Sequence, residues 1–181
     1  MRLSIYSRIE FVEYFCKVFF GTSQASATSA QQLSGTTGTF GQKVYIAVVS
    51  IRPHCQVGDG CKVGAYVEIK NAVFGPGTKL SHLTYVGDAD VGSGVNFGCG
   101  TITSNYDGFR KHQTVIGDNV FVGCNTNLVP PVTVGDGAYI AAGTTVTGDV
   151  EADALAIGRV RQEQKPGWAK KRRELAGKDK R

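Results

Sequence analysis

The chain has 181 residues and a formal net charge of +5, and 24 of its residues are glycine. Its 41% hydrophobic content is enough for a folded core, and its apolar runs are too short to span a membrane, which takes about 18 residues. The charge is uneven: residues 158–181 hold ten basic and three acidic groups, whereas residues 1–157 hold ten basic and twelve acidic groups. We therefore expect neither a membrane protein nor a nucleic-acid-binding body.

The first 45 residues match no repeat, and we predict a separate N-terminal segment there. Residues 3–20 have the spacing of an amphipathic helix, and residues 26–41 are polar and of low complexity, as is typical of a linker. The odd number of cysteines and the lack of a Cys-x-x-Cys pair argue against a disulfide framework or a zinc site. We expect a cytoplasmic protein with no bound metal and with five free thiols: Cys16, Cys55, Cys61, Cys99 and Cys124.

From residue 51 onward a large apolar residue, once replaced by threonine, returns every six positions, with two one-residue slips and one longer break. A helix needs a period near 3.6 and a half-buried strand a period of two, so this period indicates short strands joined by tight corners. Three hexads would form one coil, and successive coils would pair as parallel strands about 4.8 Å apart. The sequence predicts an all-β protein, a parallel β-helix over residues 46–150, with these inward positions: Ile51, Val57, Val63, Ile69, Phe74, Leu80, Val86, Val91, Phe97, Thr103, Ile116, Val122, Leu128, Val134, Ile140 and Val146.

The longer break lies at residues 104–115, where the turn sequence Asn-Tyr-Asp-Gly predicts an inserted loop that leaves the β-helix. Loops on rigid scaffolds often carry function. The hexads end near residue 150, and residues 151–181 form a basic C-terminal tail. This tail is either a solvated end or a clamp for a phosphorylated ligand.

Counting along the coils places four residues at one outward-facing position of the same face: His82, Cys99, Cys124 and Ala142. Neutral imidazole can accept a proton from an amine near pH 7, so His82 is a candidate general base at one end of a shallow groove. The small side chains beside it would leave room for a long, thin thioester. Glu68 is a candidate to orient His82, although ordinary surface exposure explains a glutamate there equally well.

Three basic residues lie near the corners or in the loop: Arg52, Lys70 and Lys111. Each is solvated by default, but together they could clamp a sugar phosphate. The hexads by themselves are compatible with a hexapeptide acyltransferase or a γ-class carbonic anhydrase. The three histidines lack the spacing of zinc ligands, which disfavours the anhydrase.

The segment HLTYVGDADVGSGVNFGCGTITSNYDG, residues 82–108, resembles the C-terminal acetyltransferase domain of one bacterial family, the bifunctional UDP-N-acetylglucosamine pyrophosphorylase/glucosamine-1-phosphate N-acetyltransferases. The similarity runs from about Ile51 to Trp168. It implies a left-handed β-helix that forms homotrimers with active sites between subunits. It also implies acetyl transfer from acetyl-CoA to the amine of glucosamine 1-phosphate, for UDP-N-acetylglucosamine, peptidoglycan and lipopolysaccharide synthesis.

The resemblance implies roles for individual residues. His82, in His-Leu-Thr-Tyr, corresponds to the proton acceptor. The positions that correspond to sugar-phosphate contacts are Arg52, Lys70, Tyr85 and Asn96, with Lys111 of the loop as an addition. The positions that correspond to acetyl-CoA contacts are Cys99, Asn105, Tyr106, Cys124, Ala142 and Arg159.

The sequence departs from the family in two respects. Cys99 and Cys124 stand where the family usually has alanine and serine. The family's nucleotidyltransferase domain, which binds Mg²⁺, is not matched, so we expect no uridylyltransfer and no Mg²⁺ from this chain. Two other interpretations stay open, a truncated and inactive β-helix scaffold and an acyltransferase for another amino sugar.

Overall fold

The computed structural model describes residues 38–40, 45–46 and 49–178. In these residues the chain forms fifteen strands and, after them, one helix. The helix α1 is Trp168–Lys178. The strands are β1 Gly38–Phe40, β2 Tyr45–Ile46, β3 Val49–Ile51, β4 Cys55–Val57, β5 Lys62–Phe74, β6 Lys79–Val91, β7 Asn96–Phe97, β8 Ile102–Thr103, β9 Thr114–Ile116, β10 Phe121–Val122, β11 Asn127–Leu128, β12 Val132–Val134, β13 Tyr139–Ile140, β14 Thr145–Val146 and β15 Leu155–Ala156.

The strands pair in parallel on three faces that wind around one axis. The first face holds β1, β4, the ends of β5 and β6, β9 and β12. The second face holds β2, the starts of β5 and β6, β7, β10, β13 and β15. The third face holds β3, the middles of β5 and β6, β8, β11 and β14. This is the predicted parallel β-helix.

The core fills the space inside the three faces. Every position of the six-residue pattern is buried, with at most 4% of each side chain exposed. Burying one Val, Leu, Ile or Phe contributes roughly 1.5–3 kcal/mol, so this periodic set is the main source of stability. Buried threonines also lie in the core, and several of their hydroxyls bond to the backbone, as Thr126 Oγ1 does to the Gly123 carbonyl at 2.7 Å.

The chain turns the three corners by means of residues with positive φ. The glycine corner, between the first and second faces, has mostly glycine at these sites. The small-residue corner joins the second and third faces at residues 64–66, 81–83, 98–100, 123–125 and 141–143. The coils approach closely there: a Cβ on Gly123 would lie 2.4 Å from the Ala142 nitrogen, so only glycine fits.

The third corner, between the third and first faces, comprises residues 52–54, 70–71 and 87–88 together with the loop. We call it the cationic corner because Arg52, Lys70 and Lys111 lie there. Outside the loop its positive-φ residues are not glycines but His54, Asn71 and Asp88, and within the loop Gly108 also has positive φ.

The β-helix extends beyond the boundaries predicted from the hexads. Strand β1 pairs with β4 although it lies before residue 46, and β15 pairs with β13 although it lies after residue 150. The hexad count stopped short of both because the spacing slips next to each: Ile46 lies five residues before Ile51, and Val150 lies four residues after Val146. Beyond each slip the six-residue spacing resumes, to Phe40 before Ile46 and to Ala156 after Val150. The amphipathic helix predicted over residues 3–20 lies outside the described residues.

The inserted loop folds as a hairpin against the β-helix, whereas the C-terminal tail ends in an exposed helix. Residues 104–113 form a short hairpin closed by an antiparallel bridge between Tyr106 and Lys111. Helix α1 is exposed along the length for which exposure is described, and it follows a turn in which the Trp168 amide bonds to the Lys165 carbonyl. Among the described residues, no helix has the length and apolar character needed to cross a membrane.

Candidate functional site

The column predicted from the sequence lies along the small-residue corner. The Asn125 amide donates to the Cys99 carbonyl and the Gly143 amide to the Cys124 carbonyl, each at 2.8 Å. These bonds place Cys99, Cys124 and Ala142 on successive coils. His82 belongs one coil earlier, since Leu80 pairs with Phe97. All four side chains are exposed, as predicted, but they lie at a corner and not on a flat face.

Arg159 lies at the far end of this column. A Cβ built on Gly143 would be 3.5 Å from the Arg159 Cδ, so the arginine side chain covers the backbone next to Ala142. Nearby, the Gly158 amide donates to Thr144 Oγ1 at 3.2 Å, which ties the start of the tail to the last coils. The column therefore runs from the imidazole of His82 at one end to the guanidinium of Arg159 at the other.

His82 is held by its backbone. The buried hydroxyl of Thr84 donates to the His82 carbonyl at 2.7 Å, and Leu83 between them has a φ of 31°. Thr84 was not among the candidates from the sequence, although its place in the His-Leu-Thr-Tyr motif was the available signal. Its bond fixes the peptide that carries the imidazole.

Glu68 does not orient His82 within this chain. Its Oε1 accepts a hydrogen bond from Arg52 Nη1 at 3.1 Å, and the residue paired with His82 across the strands is Ala65. Glu68 is instead paired with Tyr85 on the third face. Glu68 therefore contacts the guanidinium on the preceding coil and not the imidazole on the following one. Spacing along the sequence could not show which neighbour its side chain would contact.

The predicted phosphate clamp is brought together at the cationic corner. The side chain of Lys111 lies near that of Lys70 and lowers the pKa of Lys70 from its usual value, first through a side-chain hydrogen-bonding interaction. The positive charge of Lys111 lowers this pKa further, whereas Asp88 opposes the shift and Arg52 adds to it. Two ammonium groups held this close favour an anion between them.

A polar network joins the cationic corner to the third face. Asp88 accepts hydrogen bonds from Asn71 Nδ2 at 2.7 Å and from the Asn105 amide. The Asn105 amide also lies 3.5 Å from the Tyr85 hydroxyl. Asn105 is only 7% exposed, so its side chain positions Tyr85 and Asp88 in this chain and offers little surface to a ligand. Asn71 and Asp88 were not found from the sequence because their partners are 17 residues away.

Asp107 organises the hairpin that carries Lys111. Its carboxylate accepts hydrogen bonds from the amides of Arg110 and Phe109 and contacts His112 Nε2 at 2.7 Å. These bonds, first that of Arg110, hold the pKa of Asp107 far below its usual range. The hairpin presents Tyr106 and Lys111 outward and borders a groove of about 330 Å³.

The two remaining residues predicted to contact the sugar, Tyr85 and Asn96, lie on different faces. Tyr85 is outward on the third face, whereas Asn96 is outward on the second face, paired with Lys79 and with Phe121. These faces diverge from the small-residue corner. The side chains of Tyr85 and Asn96 therefore point outward from different faces of the β-helix.

The fold and repeats define the class of protein. Residues 113–148 match the family described as bacterial transferase hexapeptide (six repeats). The structure superposes on AntD, an N-acyltransferase from Bacillus cereus, with a TM-score of 0.64 and 14% identity, over 94% of this chain and 97% of AntD. The chain therefore has the left-handed β-helix fold that the resemblance implied, and residues 113–148 match the hexapeptide-repeat transferase family.

Within that class the chain is similar to the bifunctional protein GlmU. It is 54% identical over 125 residues to GlmU of Caldicellulosiruptor saccharolyticus, which is 69% of this chain and 27% of that protein. It is 50% identical over 157 residues to GlmU of Brevibacillus brevis, covering 82% of this chain and 34% of that protein. The resemblance seen in the sequence is confirmed, and the chain spans about a third or less of these relatives.

Proposed function

We propose that this chain transfers the acetyl group of acetyl-CoA to the amine of glucosamine 1-phosphate, giving N-acetylglucosamine 1-phosphate. One observation carries the proposal: an exposed imidazole and a pair of close ammonium groups flank the third face. His82 lies at the small-residue corner, and Lys70 and Lys111 lie at the cationic corner. The similarity to GlmU supports the choice of this sugar.

In the proposed reaction His82 acts as the general base. The sugar amine attacks the thioester carbonyl, and the imidazole removes the proton that the nitrogen loses as the new amide bond forms. The tetrahedral intermediate collapses, the carbon–sulfur bond breaks, and the proton passes to the departing CoA thiolate. Imidazole suits this task because its ordinary pKa lies near neutral pH.

The sugar phosphate would bind at the cationic corner. Lys70 and Lys111 supply two ammonium groups, and Arg52 contributes a guanidinium that already contacts Glu68. Charge-assisted bonds from these groups would anchor the phosphate and relieve the repulsion between the lysines. Tyr85, on the outer surface between the two corners, would contact the sugar ring.

Acetyl-CoA would lie along the small-residue corner. Cys99, Cys124 and Ala142 leave room for the extended pantetheine arm, and Arg159 lies where a phosphate would end. Tyr106 lies instead on the hairpin at the cationic corner. AntD, whose fold this chain shares, is described in complex with 3-hydroxybutyryl-CoA. Asn105 acts indirectly in this scheme, because it is buried and holds Tyr85 and Asp88.

The complete site needs a second copy of the chain. Asn96 lies on a different face from Tyr85, so a neighbouring subunit would supply one of them to each sugar. We propose a cytoplasmic homotrimer that makes a precursor for cell-wall and lipopolysaccharide synthesis. The proposal covers acetyl transfer alone; uridylyltransfer and its Mg²⁺ are outside it.

The test combines mass and activity. Light scattering should give about three times the chain mass of 19.3 kDa. The same sample should release CoA thiol only when both acetyl-CoA and glucosamine 1-phosphate are present. A trimer that releases no thiol with any amino sugar would support the inactive scaffold, and release with a different amino sugar alone would replace the proposed substrate. AntD is described with dTDP, so nucleotide-linked amino sugars belong in the panel.

A further inference from the structure

We propose that Cys99 and Cys124 form a redox-active dithiol that low-molecular-weight disulfides convert to an intrachain disulfide, which closes the small-residue corner. Both are free thiols on the surface. The proposed inhibition rests on the proposed acetyl transfer, whereas the disulfide itself does not.

The register brings these two thiols together. Phe97 pairs with Val122, two positions before each cysteine, and the Asn125 amide donates to the Cys99 carbonyl at 2.8 Å. Adjacent parallel strands lie about 4.8 Å apart, which is inside the Cα range of roughly 4.4–6.8 Å found in disulfides. The 25-residue separation in the sequence is therefore one coil in space.

Close stacking of the two coils keeps this register. A Cβ on Gly98 would lie 2.5 Å from the Cys124 nitrogen, and a Cβ on Gly100 would lie 2.3 Å from Asn125 Oδ1. The two coils are thus closely packed on both sides of the thiols, and the Gly98 amide also donates to the Val122 carbonyl at 2.7 Å. The thiol side chains are the movable part of this contact.

Two other cysteines provide an internal contrast. Cys55 and Cys61 are buried, and burial raises the pKa of both thiols. Their sulfurs also lie near backbone carbonyls, that of Pro53 for Cys55 and that of Gly75 for Cys61. The thiolate is the form that attacks a disulfide, so buried thiols of this kind react slowly. In the part of the chain that the structure describes, oxidation should start at the exposed pair.

The reaction needs an external disulfide as oxidant. One thiolate attacks a sulfur of oxidised glutathione, which forms a protein–glutathione mixed disulfide and releases one glutathione thiolate. The second thiolate attacks the protein sulfur of this mixed disulfide and expels the second glutathione. The two protein thiols lose two electrons and two protons, and oxidised glutathione is reduced to two glutathione thiols.

The disulfide would fix two sulfurs together where the acyl thioester is proposed to lie. His82 is one coil from Cys99 and Ala142 is one coil from Cys124, so the bridge occupies the middle of the column. Alanine and serine, which the family usually has at these two positions, could not make this bond. The switch is thus a property of this chain and not of the fold.

The experiment uses the full chain with Cys16→Ser, because Cys16 lies outside the described residues. After incubation with oxidised glutathione, mass spectrometry should show a protein lighter by two hydrogens and one cross-linked peptide joining residues 99 and 124. Acetyl transfer should be lost in this sample and return with dithiothreitol. The single variants Cys99→Ser and Cys124→Ser should each carry one glutathione instead.

Activity is compared before and after oxidation within each variant, because both cysteines lie in the proposed CoA groove. Cys55→Ala with Cys61→Ala is the matched control and should keep the cross-link. Two glutathione adducts without a cross-link would overturn the proposal, and so would a cross-linked protein with unchanged activity. If the reduced protein has no activity while the cross-link forms, the acetyl-transfer proposal fails and the dithiol stands.

Discussion

The small-residue corner and the cationic corner are built from the same backbone turn but carry opposite chemistry. Leu83 and Asp88 have positive φ of 31° and 50° in successive corners of one coil. Around Leu83 the side chains on the next coils are small and neutral, whereas around Asp88 they form a network of amides, carboxylates and ammonium groups. The comparison shows that the hexad dictates the inward residues and leaves the corners free to diverge.

Substitutions at the two corners should also change different kinetic constants. A substitution at the small-residue corner should affect the chemical step or the thioester, and one at the cationic corner should affect the sugar phosphate. Each prediction below is a test of that separation.

The largest effect should follow from His82→Ala. Loss of a general base typically lowers turnover by about 10² to 10⁴, so kcat should fall by this amount while the dissociation constant of CoA changes little. Steady-state kinetics and calorimetry measure the two quantities. His54→Asn is the comparison, since His54 lies in the groove at the cationic corner and asparagine tolerates its φ of 65°. That variant should change the KM for the sugar phosphate and leave kcat nearly unchanged. Unchanged turnover of the His82 variant would remove the imidazole from the mechanism.

A smaller effect should follow from Lys70→Ala. Charge-assisted contacts to phosphate are among the stronger polar ones, so the KM for glucosamine 1-phosphate should rise by roughly tenfold or more. The KM for acetyl-CoA should stay within about twofold, since the cationic corner does not contact the thioester in this scheme. Lys62→Ala removes an exposed lysine from the second face and serves as the control. An equal rise in both constants would contradict the division between the corners.

Arg159→Ala should have a more modest effect. Arg159 is exposed, and exposed charge pairs contribute about 0.2–1 kcal/mol, so the KM for acetyl-CoA should rise by roughly 1.4- to 5-fold. The KM for the sugar should not change. Removal of residues 158–181 should give the same pattern with a larger rise, whereas equal changes in both constants would indicate a weakened trimer.

The last prediction concerns pH. Contact with Lys111 lowers the pKa of Lys70, so Lys70 loses its proton at a lower pH than an ordinary lysine does. Because phosphate prefers the protonated form, affinity for the sugar phosphate should be highest below this pKa and fall as pH rises through it. In Lys111→Ala the pKa of Lys70 rises and the fall should move to higher pH. If the pH midpoint of this fall in affinity is the same in Lys111→Ala, the pKa of Lys70 does not depend on Lys111.

Much of the fold could be predicted from the sequence because large apolar residues that recur at a fixed period must be buried in a common core. Every inward position was correct, and so was the stacking of Cys99 on Cys124 across the loop. The strand register follows from counting residues per coil, because each inward residue stacks on the inward residue of the neighbouring coil.

Outward contacts could not be predicted in the same way. Glu68 contacts Arg52 and not His82, and Asn105 is buried beneath the hairpin. Such contacts depend on side-chain rotamers and on partners 16 to 20 residues away, as with Asn105 and Tyr85. The hexad pattern constrains none of these variables.

The stacking of coils has a consequence for motion along the axis. In a solenoid each repeat contacts only its neighbours, so opening begins at the ends and need not reach the middle. The core thins at the C-terminal end, where Leu155 is 59% exposed and Ala156 is only partly buried, while Leu80 and Val86 around His82 are fully buried. Backbone amides near Arg159 should exchange with solvent faster than those near His82, which gives the proposed cofactor end freedom to adapt and keeps the reacting end rigid.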